Sequence, residues 1–498
     1  MLCPLVKLPE NYNNDADVML IDFINKLCIL GPILLKFSPG NITPSIEFIR
    51  NNILHLSVSS SIYADGFTSD NDEIVTILLD NGLSVAFFNY IEDTIENEIL
   101  KKVLASLPRS RIGITLDKEE YNLDKMMSII ENNIHLCGSF IFNIDLSYGD
   151  EELFMENALG LIKNKNLNTS VYFKTDSGMS EVCARNMAQR DSNIHPIILP
   201  KILYNELLYT NPYDNDDITK ENEMDYISIY TSLLKSDRVD QLYTTVVCDE
   251  FDSCLGLVYS NEESIRLAVC EKKGIYYSRS RAGIWKKGDT SGSHQTLISI
   301  KYDCDGDALK FTVLQHGNPP CFCHLNTRTC WGHSRGLKKL ETMLIDRKSN
   351  SPEGSYTARL FADSGLLQKK LLEEVQELVE ATEPDHIAAE AADVIYFMMT
   401  RCIAGGIGLK EIETHLDKRS FKITRRPGNA KEWRTHKAKE ILGEKIQVTS
   451  AMPKNVNTLV TNNNDNNNNY NNSDSIVNFT ENENKVLSVA DRIKKFTK

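Results

Sequence analysis

Along the first part of the chain, short apolar runs recur at 54–58, 84–89, 111–116, 139–144, 170–173 and 194–199. Amphipathic stretches at 72–79, 94–104 and 151–162 lie between them. A strand followed by a helix about every 28 residues predicts a β/α architecture, and a closed barrel and an open doubly wound sheet both suit it. Asp65-Gly66 and Asp80-Asn81-Gly82 carry turn chemistry. Asp117 closes a predicted strand and reads as a cap more readily than as a catalytic group. No glycine-rich dinucleotide fingerprint or phosphate loop interrupts this pattern. The pattern therefore assigns no chemistry to residues 1–220.

Further along, Leu366, Leu367, Leu371, Val375, Leu378 and Val379 recur at helical spacing. Pro384 and Asp385 break the pattern, and a second helix is predicted over 387–404, closed by Gly405-Gly406. Glu374 and Glu377 project from one face of the first helix, and Glu390 and Asp393 share a face of the second. A single pair of acids at this spacing is usually a solvated face. Two pairs on consecutive helices, with Ala388, Ala391 and Ala392 permitting close packing, instead suggest an oxygen cage for Mg²⁺ that can engage a polyphosphate.

Between these regions lies Tyr302-Asp303-Cys304-Asp305-Gly306-Asp307, then Cys323-His324 and Cys330. Read as a strand, the run puts Asp303, Asp305 and Asp307 on one face and Cys304 on the other. Three carboxylates suit Mg²⁺, and thiolates suit Zn²⁺. Cys304, Cys323 and Cys330 would leave a fourth position for water, as in a catalytic zinc site, and Cys321 or His324 can replace one of the three. Just upstream, Ser278-Arg279-Ser280-Arg281 and Trp285-Lys286-Lys287-Gly288-Asp289-Thr290-Ser291-Gly292 combine cations, hydroxyls and glycines as an anion pocket does.

Charge sharpens that reading. The 498 residues carry a formal net charge of −14, so a local basic cluster is out of keeping with its surroundings. The acidic balance also argues against general nucleic-acid binding. This length predicts two to four domains, and 41% hydrophobic residues suffice for ordinary cores. The first charge, Lys7, is followed by acids, with no cleavage-site pattern. The most apolar early stretch, 27–35, is interrupted by Gly31-Pro32 and is shorter than a membrane span. Twelve cysteines without a regular framework read as thiols of a cytoplasmic protein with no membrane partner.

Ser278-Arg279-Ser280-Arg281, Trp285-x-Lys287-Gly288-x-Thr290-Ser291-Gly292, Asp303-Cys304-Asp305-x-Asp307 and Cys323-His324 through Cys330 occur in order, and this run closely resembles phosphoribosyl-AMP cyclohydrolase. The resemblance implies an α+β domain in which Cys304, Cys323 and Cys330 hold Zn²⁺ and Asp303, Asp305 and Asp307 hold Mg²⁺. It also implies an active site formed across a dimer, the first cysteine reaching the partner's zinc. The reaction opens the adenine ring by adding water at C6. His324 is the candidate for moving the proton, and Ser278, Arg279, Ser280, Arg281, Trp285, Lys287, Gly288, Thr290, Ser291 and Gly292 are the candidate substrate-binding residues. Leu325-Asn326 stand where that family usually has Thr-Gly.

The next segment runs from Leu340 through Arg347, Pro352-Glu353-Gly354-Ser355-Tyr356-Thr357, Lys370, Glu373-Glu374-x-x-Glu377 and Glu390-Ala391-Ala392-Asp393. It resembles phosphoribosyl-ATP pyrophosphohydrolase, an all-α, dimeric, magnesium-dependent family. Glu374, Glu377, Glu390 and Asp393 are then the metal ligands and catalytic carboxylates, with Arg347, Ser355, Tyr356, Thr357 and Lys370 on the substrate. These two activities act in sequence on phosphoribosyl nucleotides.

The order of segments resembles the front part of the fungal-type trifunctional histidine-biosynthesis family, in which a histidinol dehydrogenase domain follows. The reading is multidomain: 1–220 β/α, 221–333 cyclohydrolase, 334–425 pyrophosphohydrolase, and 426–498 a basic, Asn-rich, largely disordered tail around Asn462–Asn469 that leaves no room for the dehydrogenase. The expected protein is a homodimeric bifunctional hydrolase. Two other classes are weighed against it: a nucleotide-sanitising pyrophosphatase with a zinc-bearing accessory domain, and a non-catalytic scaffold.

Overall fold

The structure, a computed structural model, describes residues 2–424 except 10–13, 38–42, 57–59, 91–93, 118–122, 144–159, 161–168, 175–179, 191–192, 205–206, 214–222 and 333–334. The described residues belong to one unit, Met1–Asn429. The Asn-rich tail and the predicted helix at 151–162 lie outside the described residues.

Eight parallel strands close into a barrel: β1 (Cys3–Lys7), β2 (Ile33–Lys36), β3 (Ile62–Phe67), β4 (Val85–Asn89), β5 (Ile112–Asp117), β6 (Ser139–Asn143), β7 (Ser170–Lys174) and β8 (Ile194–Ile198). Both faces of these strands are buried, which is why they read as unbroken apolar runs. Val6, Leu35, Phe88 and Ile114 face the surrounding helices, while Leu5, Leu34, Phe87 and Ile141 fill the interior. The barrel thus decides between the two β/α arrangements left open by the pattern.

Two local expectations are corrected. Residues 54–56 are not part of a strand but the end of helix Thr43–Leu56, in which Ile49 and Ile53 are buried at helical spacing. The strand is β3, further along. Asp65-Gly66 is no turn either: it is a bulge inside β3, where Gly66 holds φ +110° and the register with β4 shifts between Asp65 and Phe67. The apolar stretch 27–35 is the end of helix Asn14–Leu30, the Gly31-Pro32 link and the start of β2. Asp80-Asn81-Gly82 does form a turn, with Gly82 at φ +117°.

Three short strands, β9 (Pro200–Tyr204), β10 (Leu207–Tyr209) and β11 (Met224–Asp225), lead into a six-stranded sheet. Its order is β15 (Gly283–Lys286), β14 (Ile275–Ser278), β13 (Cys254–Ser260), β12 (Tyr243–Asp249), β17 (Ala308–Gln315) and β16 (Gln295–Tyr302). Only β12 and β17 run parallel. Helix Glu262–Glu271 connects β13 to β14 and starts at an Asn261 cap, whose side chain accepts from Ser264 N at 2.9 Å.

The chain then becomes all-helical over Gly336–Ser349, Tyr356–Ala362, Ser364–Glu380, Pro384–Ala404 and Leu409–Ser420. Pro384 starts the fourth of these rather than only interrupting the pattern, because proline suits a first helical position. Leu344, Met399, Ile403 and Leu409 form one small core, and Leu360, Leu367 and Phe397 another. Val375 and Val379, placed by periodicity on the buried face, remain 41% and 49% exposed because the hairpin covers only one seam of its first helix. The last described residues return to the barrel: Asp80 accepts from Ile423 N at 2.7 Å, and Arg111 donates to Phe421 O at 3.2 Å. Among the described residues, no single helix is long and apolar enough to cross a membrane.

Candidate active sites

Asp303, Asp305 and Asp307 occupy the connection between β16 and β17, not a strand. Asp303 itself is the reason. Its Oδ1 accepts from the N–H groups of Gly306, Asp307 and Ala308 at 3.0, 3.1 and 3.2 Å, folding the run into a turn in which Gly306 holds φ +80°. The turn still gathers the carboxylates, with oxygen atoms of all three within 4.8 Å of one another. Partial burial pushes the Asp303 carboxyl up, but the N–H bonds and Asp307 together hold it below its ordinary value. The bond shared with Asp303 and the charge of Asp305 push Asp307 up. Crowded carboxylates in this state are what a divalent cation relieves.

The loop beyond β17 brings Cys323 and Cys330 together. Cys323 N donates to Thr327 O at 3.1 Å and Asn326 N to Cys323 O at 3.1 Å, while Cys330 N docks on Leu255 O of β13 at 2.8 Å. Asn326 sits at φ +59°, a left-handed conformation that Asn tolerates, and so turns the loop after Cys323. A Cβ at Gly256 would meet the Phe322 ring at 2.4 Å and Cys330 Sγ at 3.1 Å, so glycine there gives the loop its room. The Leu325 N–H and the Thr327 hydroxyl hold the Cys323 thiol below its ordinary value. Burial, then the charge of Cys323 and their shared hydrogen bond, push Cys330 up. Burial draws the Lys287 ammonium down, against the opposing charges of Cys321, Cys330 and Cys323 beside it. His324 is exposed, its Nδ1 3.9 Å from Cys323 Sγ.

Cys304 does not join them. Among the described residues, three ligand atoms come within 4.8 Å of one another only in the aspartate turn and in a Glu374, Glu390, Asp393 group. Thr244 pairs with Ala308 beside the aspartate turn, and Val247 pairs with Gly256 beside Cys330. The two are three residue steps apart along β12, roughly 10 Å of strand.

The anion-binding motifs also divide. Ser278–Arg281 forms the turn between β14 and β15, with the Ser278 and Ser280 hydroxyls 3.3 Å apart and Arg279 stacked 4.0 Å over Tyr259. Gly288, Thr290, Ser291 and Gly292 form the next turn, at the other end of β15, where Gly292 N donates to Gly288 O at 2.8 Å. Gly288 holds φ +96°, and a Cβ there would strike His294 N at 2.5 Å. Trp285 lies between the turns, its ring 5.8 Å from that of Tyr276. Lys286 is taken by Glu271 at 2.6 Å, leaving Lys287 as the lysine beside the cysteines.

In the helical region, Glu374 is buried on helix Ser364–Glu380 and faces Glu390 and the exposed Asp393 of helix Pro384–Ala404. Burial, then the charges of Glu374 and Glu390 and a hydrogen bond to Glu390, push Glu377 up. Lys370 bridges Glu373 at 2.9 Å and Glu374 at 3.2 Å, and these bonds push its ammonium up. Arg347 donates to Thr357 Oγ1 at 3.2 Å, and Thr357 meets the Tyr396 hydroxyl at 2.8 Å. Ser355 caps helix Tyr356–Ala362, and Tyr356 stands exposed at its start. Tyr396, Thr327 and Asp249 escaped the sequence reading, since none carries a spacing signal.

Residues 256–332 match the phosphoribosyl-AMP cyclohydrolase family and residues 337–420 the phosphoribosyl-ATP pyrophosphohydrolase family. A histidine biosynthesis bifunctional protein HisIE of Parasynechococcus marenigrum is 34% identical over 200 residues, which cover 36% of this chain and 89% of that protein. The chain belongs to this histidine-biosynthesis family. A histidine biosynthesis trifunctional protein of Candida albicans is 45% identical over 86% of this chain and 46% of its own length. That of Komagataella pastoris is 35% identical over 82% and 44%. The chain thus spans about half the length of these fungal family members. Among solved structures, a muconate cycloisomerase variant covers 42% of this chain and 59% of its own at 11% identity and a TM-score of 0.30, a likeness too slight to bear on function.

Proposed function

We propose that this chain performs two consecutive hydrolyses, releasing pyrophosphate from phosphoribosyl-ATP and then opening the adenine ring of phosphoribosyl-AMP. The single observation that carries the reading is the convergence of Glu374, Glu390 and Asp393 within 4.8 Å, with Glu377 bonded to Glu390. Those four carboxylates fit Mg²⁺, as the aspartate turn does, and Cys323 with Cys330 fits Zn²⁺. When bound, magnesium neutralises charge on a polyphosphate and zinc makes water nucleophilic near neutral pH.

The chain's own residues supply the rest. Lys370 holds Glu373 and Glu374 in place, Arg347 and Thr357 orient the substrate, and Arg279 and Arg281 offer bidentate grips for phosphate. His324 takes the proton that the attacking water gives up. Cys304 completes the zinc site of a second copy, consistent with its separation from Cys323 within one chain. The exposed Val375 and Val379 are then covered in a homodimer. On this reading residues 221–333 and 334–425 are the two catalytic domains. The test is to supply phosphoribosyl-ATP with Mg²⁺ and Zn²⁺ and follow both products. Hydrolysis of modified dNTPs in preference to phosphoribosyl-ATP would overturn the substrate assignment.

A further inference from the structure

Tyr259 of β13 carries two arginines on one ring. The guanidinium carbon of Arg279 lies 4.0 Å from its centroid and that of Arg238 4.4 Å. Sheet register accounts for the first. Tyr259 pairs with Tyr277 of β14, and Arg279 stands two residues beyond Tyr277, at the start of the β14–β15 turn. The second comes from the loop before β12. There Arg238 donates to Asp240 through Nε at 2.8 Å and Nη2 at 2.7 Å, a bidentate pair that fixes the plane of its guanidinium.

Two like charges gathered on one ring repel each other. Of the acids near them, Asp237, Asp240 and the aspartate turn, only Asp240 bonds either arginine. Its charge also reaches Arg279, but both of its oxygens are taken by Arg238. Arg279 is exposed and forms no ion pair among the described residues. The same level of the sheet leads on to the aspartate turn. Tyr259 pairs with Thr244 of β12, and Thr244 with Ala308 of β17, the residue after Asp307. Two strand spacings, about 10 Å, therefore separate the arginine-bearing ring from that turn. Asp237, next to Arg238, is close enough to Asp307 for its charge to act there. The loop before β12 thus runs between the arginines and the carboxylates, although no spacing signal marks it in the sequence.

We propose that Arg238 is a further substrate-binding residue of the cyclohydrolase site and Tyr259 a positioning residue, the ring holding Arg238 and Arg279 so that both meet one phosphate of phosphoribosyl-AMP. This rests on the ring-opening activity proposed above. A phosphate dianion relieves the repulsion between the guanidiniums, and each planar fork matches phosphate oxygens. Asp240 occupies Nε and Nη2 of Arg238 and leaves Nη1 for the ligand.

Steady-state kinetics of the full chain with phosphoribosyl-AMP, Mg²⁺ and Zn²⁺ test this. Arg238→Gln and Tyr259→Leu should each raise KM about tenfold with kcat within about twofold of wild type, because the lost grip acts on substrate and transition state alike. Tyr259→Phe keeps the ring face and should hold KM within about twofold of wild type. Zinc content and pyrophosphate release from phosphoribosyl-ATP are the folding controls. Competition then tells the two phosphates of the substrate apart. Weaker inhibition of Arg238→Gln by ribose 5-phosphate assigns the phosphate of the phosphoribosyl group, and weaker inhibition by AMP assigns the other. An unchanged KM in Arg238→Gln, a fall in kcat or zinc content in place of the KM rise, or a Tyr259→Phe chain as impaired as Tyr259→Leu overturns the proposal. A wild type that fails to open phosphoribosyl-AMP overturns the ring-opening activity itself, and this inference with it.

Discussion

Arg328 donates to the Asp249 carboxylate at 2.8 Å, and Asp249 is fully buried beneath the cysteine loop. The same carboxylate accepts from Phe251 N at 3.1 Å and Ser253 N at 2.9 Å. One buried acid thus ties the β12–β13 turn to the loop that carries Cys323 and Cys330. Removing one partner of such a pair leaves a charge stranded and costs about 3–5 kcal/mol. Asp249→Ala is predicted to lose zinc in dialysis against a weak chelator under conditions where the wild type retains it. Equal retention would show that the loop is held by other contacts.

Cys323→Ser and Cys330→Ser should each lower ring opening by more than about 100-fold while pyrophosphate release persists. A mixture of Cys304→Ser and Cys323→Ser chains carries the stronger information. If Cys304 serves the partner's zinc, exchanged subunits contain one intact site per mixed dimer, and activity returns to about a quarter of wild type. No recovery after demonstrated exchange means that each zinc site is built within one chain.

Glu374→Gln and Asp393→Asn remove a ligand charge without changing side-chain size. Each is predicted to cut pyrophosphate release by at least about 100-fold and to leave hydrolysis of phosphoribosyl-AMP intact. Glu373→Gln, which only loses a bridge to Lys370, should be mild by comparison. A dead Glu373→Gln beside an active Glu374→Gln would reverse the helix phase.

The helical hairpin was legible because Glu374, Glu377, Glu390 and Asp393 and the apolar seam obey one period, set by local geometry. β3 was not, because Asp65-Gly66 looks like a turn unless the barrel around it demands a bulge. The alternation Asp303-x-Asp305-x-Asp307 mimicked a strand, whereas three hydrogen bonds to one Asp303 oxygen make it a turn. Arg328 and Asp249 lie 79 residues apart, a pairing that no local pattern encodes. The division of the anion motifs by β15 was equally hidden, since short sequence separation suggested one pocket.

Asp80 joins the end of the helical region to the barrel through Thr424 and Ile423. Burial is the largest single influence and pushes its carboxyl up, but the bonds from Thr424 and Ile423 and the charge of Lys422 together outweigh it and hold the group below its ordinary value. A depressed folded-state value means that the stabilisation is complete above the unfolded value, about 3.9, and is lost as pH falls through the lower folded one. Urea midpoints of wild type and Asp80→Asn should therefore differ at neutral pH and converge in acid. A constant difference across that range would remove the carboxylate from the explanation.

On the proposed function, two sites in one chain act in sequence on the same nucleotide. Its most direct test is a single time course with phosphoribosyl-ATP, Mg²⁺ and Zn²⁺, recording pyrophosphate and the absorbance change of ring opening together. Pyrophosphate is expected to appear first and ring opening to follow after a lag; Glu374→Gln should abolish both signals, and added phosphoribosyl-AMP should restore ring opening alone. Ring opening that proceeds from phosphoribosyl-ATP in the Glu374→Gln chain, or an absence of both products in the wild type, would contradict it.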